Sequence, residues 1–73
     1  MISRRSLKIF MKERLSSRVS TEALEQLQNL LLNLADQIVR EAEIVARKQG
    51  RKMVRGMDIL IASKKIYQKE LEV

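Results

Sequence analysis

The stretch from Thr21 to Gln49 constrains everything around it. Apolar residues fall at Ala23, Leu24, Leu27, Leu30, Leu31, Leu34, Ala35, Ile38, Val39, Ala42, Val45 and Ala46. Steps of three and four place them on one wide stripe of a 3.6-residue helix. Ser20 and Thr21 can each cap its start, and Glu22 and Glu25 follow where the helix dipole favours anions. Arg47 and Lys48 occupy the last turn, with Gly50 just past the end. The spacing predicts a helix of about 29 residues, roughly 43 Å long.

Two shorter helices flank it. Residues 3–15 put Leu7, Phe10, Met11 and Leu15 on one face, with most of Arg4, Arg5, Lys8, Lys12 and Arg14 elsewhere. The polar run 16–20 connects to the long helix, and 51–55 is a second connector. A third helix runs from about Gly56 to Glu70, with Met57, Leu60, Ile61, Ile66 or Tyr67, and Leu71 on its apolar side and Asp58 in its first turn. Proline is absent and no segment alternates as a strand would, so the chain reads as all-α.

Seventy-three residues make one small domain, residues 1–73, marginal unless something braces it. Cysteine and histidine are both absent. Disulfides, thiolate metal sites and histidine base catalysis are therefore excluded. Oligomerisation is the remaining brace. Two short helices cover only part of the long stripe, and each apolar side chain left in water forgoes about 1.5–3 kcal/mol. Two copies crossing at their long helices would bury both stripes, so an obligate dimer is expected.

Net charge is +6, which points to an anionic partner. Its distribution says more than its total. Residues 1–18 carry six cations and one anion, residues 19–46 one cation and five anions, and residues 47–65 seven cations and one anion. Two basic segments flank an acidic middle. Nothing reads as a signal peptide or a membrane span, so a soluble, intracellular protein is expected.

Particular residues carry a resemblance. The stretch RVSTEAL, Arg18 to Leu24, resembles the first loop of histones as it enters the long helix. The stretch IVREAEIVARKQGRKMVRGMDI, Ile38 to Ile59, resembles the archaeal histone pattern: Ala-Arg near the helix end, Gly-Arg-Lys in the second loop, Asp opening the third helix. The resemblance covers roughly residues 8–66 and is most like the tail-less archaeal or prokaryotic type. It implies a histone fold and a handshake dimer in which the first loop of one protomer lies beside the second loop of its partner. It also implies duplex DNA as partner, bound largely without sequence specificity, on the chromosome in the cytoplasm. Compaction, bending and bridging of the DNA are all compatible with it.

By the same resemblance, Arg18 enters the minor groove, where the narrow groove's negative potential attracts it without base reading. Ser20 donates to phosphate or simply caps the helix. Lys52 contacts phosphate in the second loop. Met53 stands where the family often has threonine, so only its backbone N–H could serve. Lys8, Lys12 and Arg14 are candidates on the first helix, although the family's arginine there falls at Ile9. Arg51 and Asp58 correspond to an ion pair bracing the second loop. Dimers of the family join through positions matching Val45, Lys48, Asp58 and Ile61. Lys48 replaces a common histidine there, and a Lys48–Asp58 pair could substitute for it. Ile66, Tyr67 and Leu71 extend the third helix and suit a tetramer formed through another face.

Other classes fit less well. No nucleophile–base pair, Gly-rich phosphate loop or carboxylate cluster supports an enzyme, a cofactor or a small-molecule substrate. A membrane-surface helix would set a basic face opposite its longest apolar stripe, and here that face is acidic. The alternative kept open is a histone-fold subunit of a heteromeric transcription or repair complex.

Overall fold

The computed structural model describes residues 3–71, with side-chain environments through residue 68. It contains three helices: α1 (Arg4–Arg14), α2 (Thr21–Lys48) and α3 (Gly56–Leu71). No strand occurs among the described residues. The expected boundaries shift by a residue or so because the outermost residues act as caps. Ser3 is the N-cap of α1, its hydroxyl accepting from the Ser6 N–H at 3.1 Å. Leu15 is the C-cap, with extended backbone and its N–H donated to the Met11 carbonyl. Glu25 lies beyond the first turn of α2, where only Glu22 complements the dipole.

The start of α2 resolves the choice between two caps. Ser20 Oγ accepts from the Ala23 N–H at 3.0 Å, and the Ser20 carbonyl accepts from the Leu24 N–H. Thr21 is therefore the first helical residue, and Ser20 satisfies one of the donors that the helix leaves unpaired.

The end of α2 is a complete Schellman closure. Gly50 adopts φ +73°, its N–H bonds the Arg47 carbonyl at 2.9 Å, and the Arg51 N–H bonds the Ala46 carbonyl at 3.0 Å. A left-handed residue reverses the chain here and turns Arg51 back toward the next helix.

The chain divides into two compact units, one ending at Asn33 and the other beginning at Leu34, so α2 contributes to both. In the first unit Leu7 and Leu24 are buried and Met11, Val19, Leu27 and Leu31 half-buried. Arg4 ties α1 to α2, with Nη1 3.3 Å from Glu25 and Nε donating to Gln28 at 3.1 Å. An open apolar groove remains, lined by Ser6, Leu7, Phe10, Leu27 and Leu31. In the second unit Ala42, Val45, Ala46 and Ala62 are buried, and Lys65 reaches Glu41 at 3.3 Å. A second apolar groove is lined by Leu34, Ile38, Ser63, Lys64, Ile66 and Tyr67.

Neither unit buries the whole stripe. Leu30 is 63% exposed, and Leu34 and Val39 are also open to solvent. Of the four residues that α2 buries, Leu24, Ala42, Val45 and Ala46, none lies in its middle, and the large side chains there are left to solvent in the single chain. On α3 the packed face carries Asp58, Ile59, Ala62 and Ile66, while Met57, Leu60 and Tyr67 lie exposed on another. The expected apolar role of Leu71 falls on a side chain outside the described residues.

The Schellman closure generates a measurable expectation. A Cβ at Gly50 would meet nothing within 4 Å, so the penalty of a substitution is conformational. Gly50→Ala should destabilise the protein by about 1–2 kcal/mol, and Gly50→Asn by less, in urea unfolding at fixed protein concentration. Equal stability of Gly50→Ala and wild type would refute this account of the helix end.

Candidate nucleic-acid interface

The first unit gathers one set of cations. Lys8 and Lys12, one turn apart on α1, line an open groove together with Arg18 and Ser20 of the following connector. All four are exposed, and neither lysine nor Arg18 has an ion-pair partner among the described residues. The short connector turns the chain back from α1 into α2, and that reversal brings the helix cations and the loop arginine to one concave surface.

Arg14 is placed differently. Its guanidinium lies 3.6 Å from the centre of the Phe10 ring, and Nη1 donates to the Phe10 carbonyl at 3.4 Å. The stack covers part of an exposed aromatic ring and closes the C-terminal end of α1, where a cation is favoured. Arg14 has this local role whatever else it contacts. Ile9 on the same helix is exposed and apolar.

The second unit organises its cations around one carboxylate. Asp58 is 1% exposed and the Arg51 side chain 22%. Arg51 Nη1 donates to Oδ2 and Nη2 to Oδ1, each at 2.8 Å, a bidentate fork. The Arg55 N–H donates to Oδ2, also at 2.8 Å. Asp58 is the third residue of α3 and reaches back to the residue preceding the helix, one half of a capping box. Arg51 also donates to the Met53 carbonyl at 3.2 Å and to Gln49 Oε1 at 2.8 Å. One guanidinium therefore joins the end of α2, the loop and the start of α3. The Arg51 hydrogen bonds, then the Arg55 N–H, hold the Asp58 carboxyl down at about 2. Arg51 is raised in turn, chiefly by its hydrogen bonds to Asp58.

Around this brace the other cations sort themselves. Lys52 is exposed and lines an open groove with Glu43, Arg47, Gly50 and Arg51. Arg47 is shared with Glu43 at 3.7 Å. The Met53 side chain is 70% exposed, and no described residue takes its N–H. Lys48 is exposed without a partner among the described residues. Among the described residues no group of three or more His, Cys, Asp or Glu could hold a metal ion.

The four positions expected to join dimers differ in exposure within the single chain: Lys48 is exposed, Ile61 half-buried, and Val45 and Asp58 buried in their own unit. Asp58 there accepts three internal hydrogen bonds.

Sequence reasoning passed over Arg55. It is exposed at the N-cap of α3, its backbone is fixed by Asp58, and its side chain has no partner among the described residues. The signal was a cation three residues before an aspartate that opens a helix, a spacing that pins the backbone and leaves the side chain outside.

A family model described as histone-like transcription factor (CBF/NF-Y) and archaeal histone matches residues 6–62. No solved structure matches the chain at a significant level.

The depressed Asp58 carboxyl sets an acid limb. In the unfolded chain this group takes up its proton near 3.8, but in the folded chain only near 2. Its contribution is therefore complete above the unfolded value and is lost as pH falls from about 4 toward 2. Melting of Asp58→Asn should show a flatter acid limb than wild type across that window. At neutral pH Asp58→Ala should lower Tm by ~10 °C or more, because it strands a half-buried guanidinium. Superimposable melting curves would reduce the pair to a surface contact.

Proposed function

The chain belongs to the family of histone-like transcription factors (CBF/NF-Y) and archaeal histones, and from that premise we propose that it is a chromosomal protein that binds duplex DNA largely without sequence specificity, as an obligate dimer. Its fold is the all-α histone fold of short, long and short helices. We read the chain as a single histone-fold domain whose two units are completed by a partner.

The observation that carries the reading is the sorting of the cations. Arg51 is consumed by Asp58, whereas Lys8, Lys12, Arg18, Lys52 and Arg55 are exposed and unpaired among the described residues. Unpaired exposed cations in two clusters are what phosphate neutralisation requires, and neutralisation supplies most sequence-independent affinity. In a handshake dimer the first-loop cluster of one protomer meets the second-loop cluster of the other, giving a basic band at each end.

Exposed apolar side chains support the dimer: Leu30, Leu34 and Val39 of α2 lie open to solvent, and each one buried by a partner would gain about 1.5–3 kcal/mol. We assign the exposed α3 face of Met57, Leu60 and Tyr67 to the meeting of two dimers in a tetramer. A histone-fold subunit of a heteromeric transcription or repair complex is the second reading, favoured by the transcription factors within the family and by the exposed apolar grooves.

Light scattering of the purified chain should give a dimer or a tetramer. A helical, cooperatively folded monomer at nanomolar concentration would rule out the dimer, and a chain unfolded until a different subunit is added would favour the second reading. Duplex affinity should fall ~10³–10⁵-fold from 50 to 200 mM salt if a dimer neutralises ~6–10 phosphates. A flat salt response, or strict dependence on one base sequence, would overturn the DNA reading. Leu60→Glu with Tyr67→Glu should leave a dimer and abolish the tetramer; an undiminished tetramer would reject that face.

A further inference from the structure

The chain has six serines, and they divide into two groups. Four have engaged hydroxyls. Ser3 Oγ lies 2.9 Å from Ser6 Oγ and accepts from the Ser6 N–H. Ser20 Oγ accepts from the Ala23 N–H, and Ser63 Oγ donates to the Leu60 carbonyl at 2.8 Å. Ser16 and Ser17 are the other two. They are adjacent and exposed in a bend, and neither hydroxyl bonds any described residue.

Their setting distinguishes them from ordinary solvated loop serines. They line the same open groove as Lys8, Lys12, Arg18 and Ser20. The connector that carries them is pinned at both ends, by the Leu15 N–H on the Met11 carbonyl and by the Ser20 cap of α2. Between the pins Val19 is half-buried. Two unused donors are thus held on a short tethered segment with cations on either side.

We propose that Ser16 and Ser17 are hydrogen-bond donors in a phosphodiester seat, taking backbone phosphate oxygens of duplex DNA while Lys8, Lys12 and Arg18 supply the charge. The proposal rests on the DNA-binding reading and adds two neutral contacts to its charged ones. A hydroxyl can donate to an anionic oxygen yet displaces no counterion. Charged and uncharged contacts therefore leave different marks on a salt titration. Loss of a lysine lowers both affinity and the slope of log K against log salt, whereas loss of a hydroxyl lowers affinity and leaves the slope alone.

The experiment titrates a ~60 bp duplex of arbitrary sequence, long enough for more than one dimer's phosphate contacts, with wild type, Ser16→Ala/Ser17→Ala, Ser16→Thr/Ser17→Thr and Lys12→Gln across a salt series. The double alanine variant should bind about 5- to 50-fold more weakly at every salt concentration, on a line parallel to wild type. The double threonine variant, which keeps both hydroxyls, should recover most of the loss. Lys12→Gln, which removes one cation from each protomer, should reduce the slope by about 2 per dimer. Melting of each variant alone separates loss of contact from loss of fold, and threonine rescue does so again. Wild-type affinity in the double alanine variant, a slope change matching that of Lys12→Gln, or failure of threonine to rescue would each overturn the seat. If wild type itself shows no steep salt dependence, the DNA reading fails first, and that result is distinct from all three.

Discussion

A long amphipathic helix with more apolar surface than its own chain covers is the constraint on which the rest depends. The buried members of α2 are Leu24, Ala42, Val45 and Ala46, and three of those four are small or β-branched. Its large central side chains, Leu30, Leu34 and Val39, remain in contact with water in the single chain. A 73-residue chain without a cysteine, and so without a disulfide brace, has little stability to spare. Leaving these side chains exposed forgoes several increments of about 1.5–3 kcal/mol each. Stability and assembly are therefore the same problem, and any account of a single chain's stability is incomplete without protein concentration.

The second loop solves a different problem, the crowding of like charge. Five cations fall between Arg47 and Arg55, and unmitigated repulsion among them would oppose folding. One buried carboxylate organises the cluster. Asp58 takes both prongs of Arg51 and the Arg55 N–H, so a single side chain neutralises one cation and starts a helix. Arg47 leans on Glu43 one turn back. What remains outward, Lys52 and Arg55, stands on a backbone that the same carboxylate has fixed. A hydrogen-bonded backbone beneath exposed cations suits a phosphate partner, because the chain's geometry need not be reordered on contact.

Much of this was legible in the sequence, and the reasons are physical. Helix type and extent followed from the three-and-four spacing, from Ser20 and from Gly50, because those signals are local. The loop-two pair lay seven residues apart, beyond helical neighbour distance, and was reachable only through the family pattern. Three things stayed hidden. Arg14 stacks on Phe10, a choice set by side-chain rotamers rather than by spacing. Asp58 is 1% exposed and accepts three hydrogen bonds within its own unit, a matter of burial that composition cannot report. Arg55 was overlooked because its backbone role and its side chain point in different directions. Local periodicity reads elements well, but which of several adjacent cations is consumed internally depends on a few ångströms of tertiary geometry.

Assembly and DNA binding are coupled through charge. Two chains of +6 each brought into one dimer hold twice that charge in closer quarters. The proposed handshake arrangement would concentrate it further, setting the first-loop cations of one protomer beside the second-loop cations of the other. Burial of the α2 stripes favours the dimer while the merged basic bands oppose it. A polyanion lying on those bands removes the opposing part, since it binds the assembled form better than separate chains. Duplex should therefore act as a thermodynamic brace for the dimer, and low salt without duplex should be the condition least favourable to it. On the same proposal, the outward cations serve best without internal carboxylate partners. A carboxylate beside each would stabilise the free dimer and remove the advantage that DNA contributes to its assembly.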